Sequence, residues 1–142
     1  MRILCLTALL VSISAATYAQ SSLPVTNAQP KIPTPTVAAP SVTKIPPQEA
    51  KALLQQPNTI LLDVRTPEEY AAGHLAGAKN LDFKSPDFAS QLTTLDPNNV
   101  YVLYCRSGNR SNQAGLVMQD KGFKKVLNAG AYEELNKQGV KK

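Results

Sequence analysis

The sequence predicts a three-layer α/β domain built on a mostly parallel sheet. Strand-like and helix-like stretches alternate through a body of about 100 residues that starts near Val42. Two of the strand-like stretches, Thr59 to Val64 and Val100 to Tyr104, are apolar runs, as expected of parallel strands covered on both faces. A change of composition sets this body apart from a tail: seven of the eleven prolines fall between Pro24 and Pro47.

The elements follow in order. Val42 to Ile45 is a short strand. Pro47 sits where a helix can start, and Ala50, Leu53 and Leu54 give the stretch to Gln56 helical spacing. Thr59 to Val64 is the first strong strand. Thr66-Pro67-Glu68-Glu69 is a helix start, with a hydroxyl cap, proline at the first position and glutamate at the third; Gly73 ends that helix. Ala78 to Leu81 is a short strand, and Ser85-Pro86-Asp87 opens another helix by the same reasoning. Val100 to Tyr104 is the second strong strand. Ser111 to Asp120 is a helix that Gly122 closes. Lys125 to Leu127 is a last short strand and Ala131 to Gln138 a last helix.

Residues 1–19 have the features of a secretory signal: the basic start Met1-Arg2, an apolar run from Ile3 to Val11, then small residues up to Thr17-Tyr18-Ala19. The run is short of the roughly 20 apolar residues that span a bilayer. Cleavage after Ala19 and a periplasmic or secreted location are therefore expected, with no stable membrane anchor afterwards. Residues 20–41, rich in Pro, Ser, Thr, Ala and Gln, read as an extended disordered linker. Residues 42–142 form the folded domain. Cleavage removes Cys5 and Arg2 and leaves 14 basic against 10 acidic side chains, net +4. With no aromatic-basic stripe, that charge is a solvated surface, and no nucleic-acid partner is expected.

The mature chain keeps one cysteine, Cys105, which has no partner for an internal disulfide. It closes the strand Val100 to Tyr104, and the carboxyl ends of parallel strands are where such folds bind ligands. The loop Arg106-Ser107-Gly108-Asn109-Arg110 follows, and a helix begins at Ser111. Amides of such a loop and of a first helical turn have no intrahelical partners and converge on one point. The helix dipole, Arg106 and Arg110 add positive charge, so the surroundings favour a thiolate. A buried inert thiol is the plainer reading of a free cysteine. The polar, cationic neighbours decide against it.

Three segments resemble one family. Leu61-Leu62-Asp63-Val64-Arg65-Thr66-Pro67-Glu68-Glu69-Tyr70 with Gly73-His74-Leu75-Ala76-Gly77-Ala78-Lys79-Asn80 resembles the amino-terminal signature of rhodanese domains. Cys105 to Arg110 is similar to their active-site loop, and Val126-Leu127-Asn128-Ala129-Gly130 to their closing turn. A small exported chain of this kind is similar to the periplasmic phage-shock-type rhodaneses. The resemblance implies a five-stranded parallel sheet flanked by helices. It also implies thiosulfate sulfurtransferase chemistry through a persulfide on Cys105. Two departures stand out: Ala129 replaces a family glycine, and there is no Trp anywhere. Their expected effect is on the packing of the last helix.

On that reading Cys105 attacks the outer sulfur of a small donor such as thiosulfate, sulfite leaves, and cyanide or a thiol takes the sulfur. Arg106 and Arg110 hold the donor's sulfonate, and the amides from Arg106 through Ser107, Gly108 and Asn109 to Arg110 stabilise charge on the bound sulfur. Asp63 and Arg65 brace loops near the site, and Ser111 caps or opens the helix. His74, the single histidine, is structural, since a pre-ionised cysteine needs no base. One Cys and one His do not make a usual ligand set, so neither a metal nor a cofactor is expected. A monomer is expected. A cysteine phosphatase is the chief rival, but its loop places five residues between Cys and Arg where this one has four. A domain that carries sulfur or binds a partner without turnover is the other.

Overall fold

The computed structural model describes residues 42–142. The expected signal segment, 1–19, and linker, 20–41, lie outside the described residues. The body contains strands β1 (Thr43–Lys44), β2 (Thr59–Asp63), β3 (Lys79–Asn80), β4 (Val100–Cys105) and β5 (Lys125–Ala131). Its helices are α1 (Pro47–Leu54), α2 (Pro67–Ala71), α3 (Phe88–Gln91), α4 (Asn109–Asp120) and α5 (Tyr132–Lys137), with a 3₁₀ turn at Leu92–Thr94. The sheet has five strands in the order β1-β5-β4-β2-β3, and every pairing is parallel. The strand that ends in Cys105 is therefore the central one.

Strand alternation sorts side chains into two cores. Tyr101, Leu103 and Cys105 of β4 join Leu62, Val126, Ala114, Met118, Phe88 and Leu92 on the face covered by α3 and α4. Val102 and Tyr104 join Leu61, Leu127, Ala50, Leu54 and Leu135 on the face covered by α1 and α5. Both faces of β4 are dry, which is why its sequence reads as an unbroken apolar run.

Several boundaries differ from the sequence reading, each for a local reason. The expected capping box at α2 is present: Thr66 Oγ1 accepts from the Glu69 amide and Glu69 reaches back to the Thr66 amide. At α3 the same logic fails. The Ser85 hydroxyl accepts from the Asp87 amide, which spends it on a turn, and the helix begins only at Phe88. Helix α4 starts at Asn109 rather than Ser111, because Gly108 turns the chain with φ +91° and its carbonyl accepts from Asn112 N (3.2 Å). Strand β5 runs on to Ala131 instead of ending at Leu127. Leu103 faces Asn128 while Tyr104 faces Gly130, so Ala129 is the extra residue of a β-bulge. At the end of α4, Gly122 N and Phe123 N bond back to Gln119 O and Met118 O, the closure expected of that glycine.

Candidate active site

Cys105 ends β4, and its side chain faces α4. The sulfur meets the end of the turn and the start of α4: Gly108 N–H donates to Sγ over 3.1 Å, and the Ser111 hydroxyl stands 3.6 Å away. Burial pushes the thiol up. The amides of Ser111, Ser107 and Gly108 and the Ser111 hydroxyl outweigh that, and the thiol lies below its ordinary range. Cys105 has no exposed surface. The sequence placed it at a strand-to-loop edge and did not foresee that the loop would cover it.

The turn itself is only Arg106-Ser107-Gly108, since Asn109, Arg110 and Ser111 belong to the first turn of α4. Arg106, Ser107 and Asn109 are exposed. Arg110 is not a free cation. Its two terminal nitrogens meet Glu69 Oε2 and Oε1 at 2.6 and 2.8 Å, a forked bridge from α4 to α2. This bridge, and chiefly the hydrogen bond to Arg110, pulls Glu69 down to about 2. Glu69 was legible in the sequence only as a helix-start residue.

That shift gives a pH signature. A carboxylate with a lowered folded pKa stabilises the domain above its ordinary range near 4.5, and the contribution is lost as pH falls toward about 2. Glu69→Gln is expected to lower stability at neutral pH by about 1 kcal/mol, since the pair is only partly buried. The difference from wild type should shrink between pH 4.5 and 2 in urea melts. A difference independent of pH would show that the bridge carries none of it.

Asp63 and Arg65 form a buried pair at the end of β2. Arg65 Nε and Nη2 reach the Asp63 carboxylate at 2.6 to 3.0 Å, and the Arg65 amide donates to Asp63 Oδ1. Arg65 Nη2 also donates to Gly73 O (2.7 Å), and its guanidinium lies 4.1 Å from the Tyr132 ring centre. The pair thus ties β2, the turn after α2 and α5 together below the loop. His74 is exposed, stacked on Tyr70 at 3.8 Å, with Nδ1 3.1 Å from Tyr70 O. A cleft of about 490 Å³ opens beside the loop, lined by Arg65, Glu69, Gly73, Arg106, Tyr132 and Glu133.

Asn128 is a residue of the site that sequence reading left unassigned. It is buried on β5. Its Nδ2 donates to Gly108 O (2.9 Å), while its Oδ1 accepts from Gly130 N (2.9 Å) and from the Ser111 hydroxyl (2.7 Å). Only the bulge at Ala129 signals it, and a bulge is invisible in a sequence of this kind.

Fold and site together define a class: a parallel α/β domain whose central strand delivers a single cysteine into a ring of backbone amides. The chain belongs to the rhodanese family, the rhodanese-like domain matching residues 46–138. It is 32% identical over 91 residues to a thiosulfate sulfurtransferase GlpE of Pseudomonas putida, covering 63% of this chain and 81% of that protein. It is 32% identical over 80 residues to the thiosulfate sulfurtransferase PspE of Escherichia coli, covering 56% and 77%. The human single-domain sulfurtransferase TSTD1 superposes with a TM-score of 0.57 at 25% identity, over 68% of this chain and 97% of that one.

Proposed function

We propose that this domain is a thiosulfate:acceptor sulfurtransferase that carries sulfane sulfur as a persulfide on Cys105. The observation that carries the reading is the Gly108 amide 3.1 Å from the Cys105 sulfur, in a member of the rhodanese family. The thiolate attacks the outer sulfur of thiosulfate; the sulfur–sulfur bond of the donor breaks and sulfite leaves with its electron pair. A cyanide or thiolate acceptor then takes the outer sulfur and returns Cys105 as thiolate. The amides that lower the thiol hold the charge at each stage. The exposed Arg106 supplies the free cation for the donor's sulfonate, because Glu69 already occupies the fork of Arg110. That occupation also argues against a phosphatase, which needs its loop arginine for the substrate. Export through residues 1–19 places the reaction outside the cytoplasm.

One measurement tests both parts. Intact mass of the protein recovered from an exporting host should correspond to a chain beginning at Gln20. After thiosulfate treatment it should rise by one sulfur atom, and cyanide should reverse the gain. No gain at Cys105 would overturn the sulfurtransferase reading. A full-length mass would overturn export.

A further inference from the structure

The Ser111 hydroxyl has one proton and two acceptors in reach: Asn128 Oδ1 at 2.7 Å and Cys105 Sγ at 3.6 Å. It cannot serve both. With a neutral thiol the oxygen is the better acceptor, being closer and more polar. A thiolate reverses the preference, since hydrogen bonds to a charged acceptor are roughly twice as strong. The turn costs Asn128 little, because Gly130 N still donates to Oδ1 and Nδ2 still donates to Gly108 O. No buried polar atom is stranded in either position.

We propose that Ser111 and Asn128 form a two-position hydroxyl switch, in which the Ser111 proton rests on Asn128 Oδ1 while Cys105 is a thiol and turns to the sulfur when it is a thiolate. This deepens the sulfurtransferase reading by assigning Asn128 as the positioning residue of that site. Asn128 suits the task by being neutral and two-ended. One end holds the Gly108 carbonyl, which keeps the Gly108 amide aimed at the sulfur; the other parks the hydroxyl. An aspartate in its place has the same shape, loses the donor to Gly108 O, and brings a negative charge within about 6 Å of the sulfur.

The charged groups around Cys105 leave this pair room to act. Arg106 comes from the turn, Arg110 from α4 with Glu69 of α2 bound to it, and Lys44 of β1 lies beside Gly130. Asp63 and Arg65 of β2 are paired with each other. Arg110 also acts on Cys105 directly, an effect common to the wild type and to the Ser111 and Asn128 variants.

The test is the pH dependence of Cys105 alkylation, read by intact mass on the folded domain, for wild type, Ser111→Ala, Asn128→Ala and Asn128→Asp. Ser111→Ala should raise the midpoint by roughly half to one unit through loss of a donor to the charged form. Asn128→Asp should raise it further, by about one to two units, through the added charge. Asn128→Ala should raise it less than Asn128→Asp. Ser111→Ala keeps a good helix former in α4 and remains informative if the Asn128 variants fail to fold. An unchanged midpoint in Ser111→Ala overturns the switch, as does a midpoint in Asn128→Asp no higher than in Asn128→Ala. Sulfur gain from thiosulfate is measured on the same samples. A wild type that gains sulfur while its variants leave the midpoint unmoved loses the switch and keeps the sulfurtransferase reading. Shifted midpoints with no sulfur gain do the reverse.

Discussion

Gly108→Ala is expected to lower the rate of sulfur transfer from thiosulfate by about a hundredfold or more, the usual cost of losing one donor aimed at developing charge. Two features combine there. The backbone of Gly108 sits at φ +91°, where a side chain is strained, and a Cβ would meet Gly130 Cα at 3.2 Å. The turn must therefore rearrange, and the same residue's amide is the one bonded to the sulfur while its carbonyl is held by Asn128 and by Asn112 N. Strain of this kind costs roughly 1–3 kcal/mol of stability. Gly122→Ala is the control. It too has φ in the left-handed region, +88°, but open space where a Cβ would go. It should lose stability and keep its rate per folded molecule. Equal kinetic loss in the two variants would mean that the amide of Gly108 has no special part in the chemistry.

Arg65→Ala is expected to destabilise the domain by about 3–5 kcal/mol, because it leaves the Asp63 carboxylate buried without its partner. The side chains of Arg65 and Asp63 are 6% and 0% exposed, so the carboxylate depends on Arg65 for its compensation. That is a large part of the roughly 5–15 kcal/mol that holds a domain together. Arg65→Lys should recover little, since an ammonium cannot reach both carboxylate oxygens and Gly73 O while stacking on Tyr132. A double change to apolar residues, Asp63→Leu with Arg65→Met, should recover more than either single change, because both charges go together. Urea midpoints decide it. A loss below about 1 kcal/mol for Arg65→Ala would mean the pair is a solvated ion pair, contrary to its burial.

The sequence was most readable where one residue type has one use. Thr66, Pro67 and Glu69 marked a helix start that formed as written, and the apolar runs of β2 and β4 identified the strands that lie against each other in the sheet. Cys105 stood out because it ends one of those runs. What stayed hidden depends on distance in space. Glu69 looked like a capping residue because its second partner, Arg110, lies 41 positions away. Asn128 looked like part of a turn because its strand continues past it only through a bulge. The start of α3 misled because a serine hydroxyl serves a turn as readily as a helix, and local sequence does not say which.

The bulge at Ala129 has a meaning for how this domain tolerates genetic change. Ala129 contributes length more than chemistry, so most small substitutions there should pass quietly. A single-codon deletion is different. It removes the bulge, so that Leu103–Asn128 and Tyr104–Gly130 become successive rungs and β5 loses the local bend and extra twist that a bulge supplies. Gly130 would keep its rung but lose the bend that seats it against Gly108, and the segment carrying Tyr132 would be re-aimed relative to Arg65. Catalytic turn and buried ion pair both depend on the count of residues in β5. Lineages of this domain should therefore accept changes of letter at this position far more readily than changes of frame length.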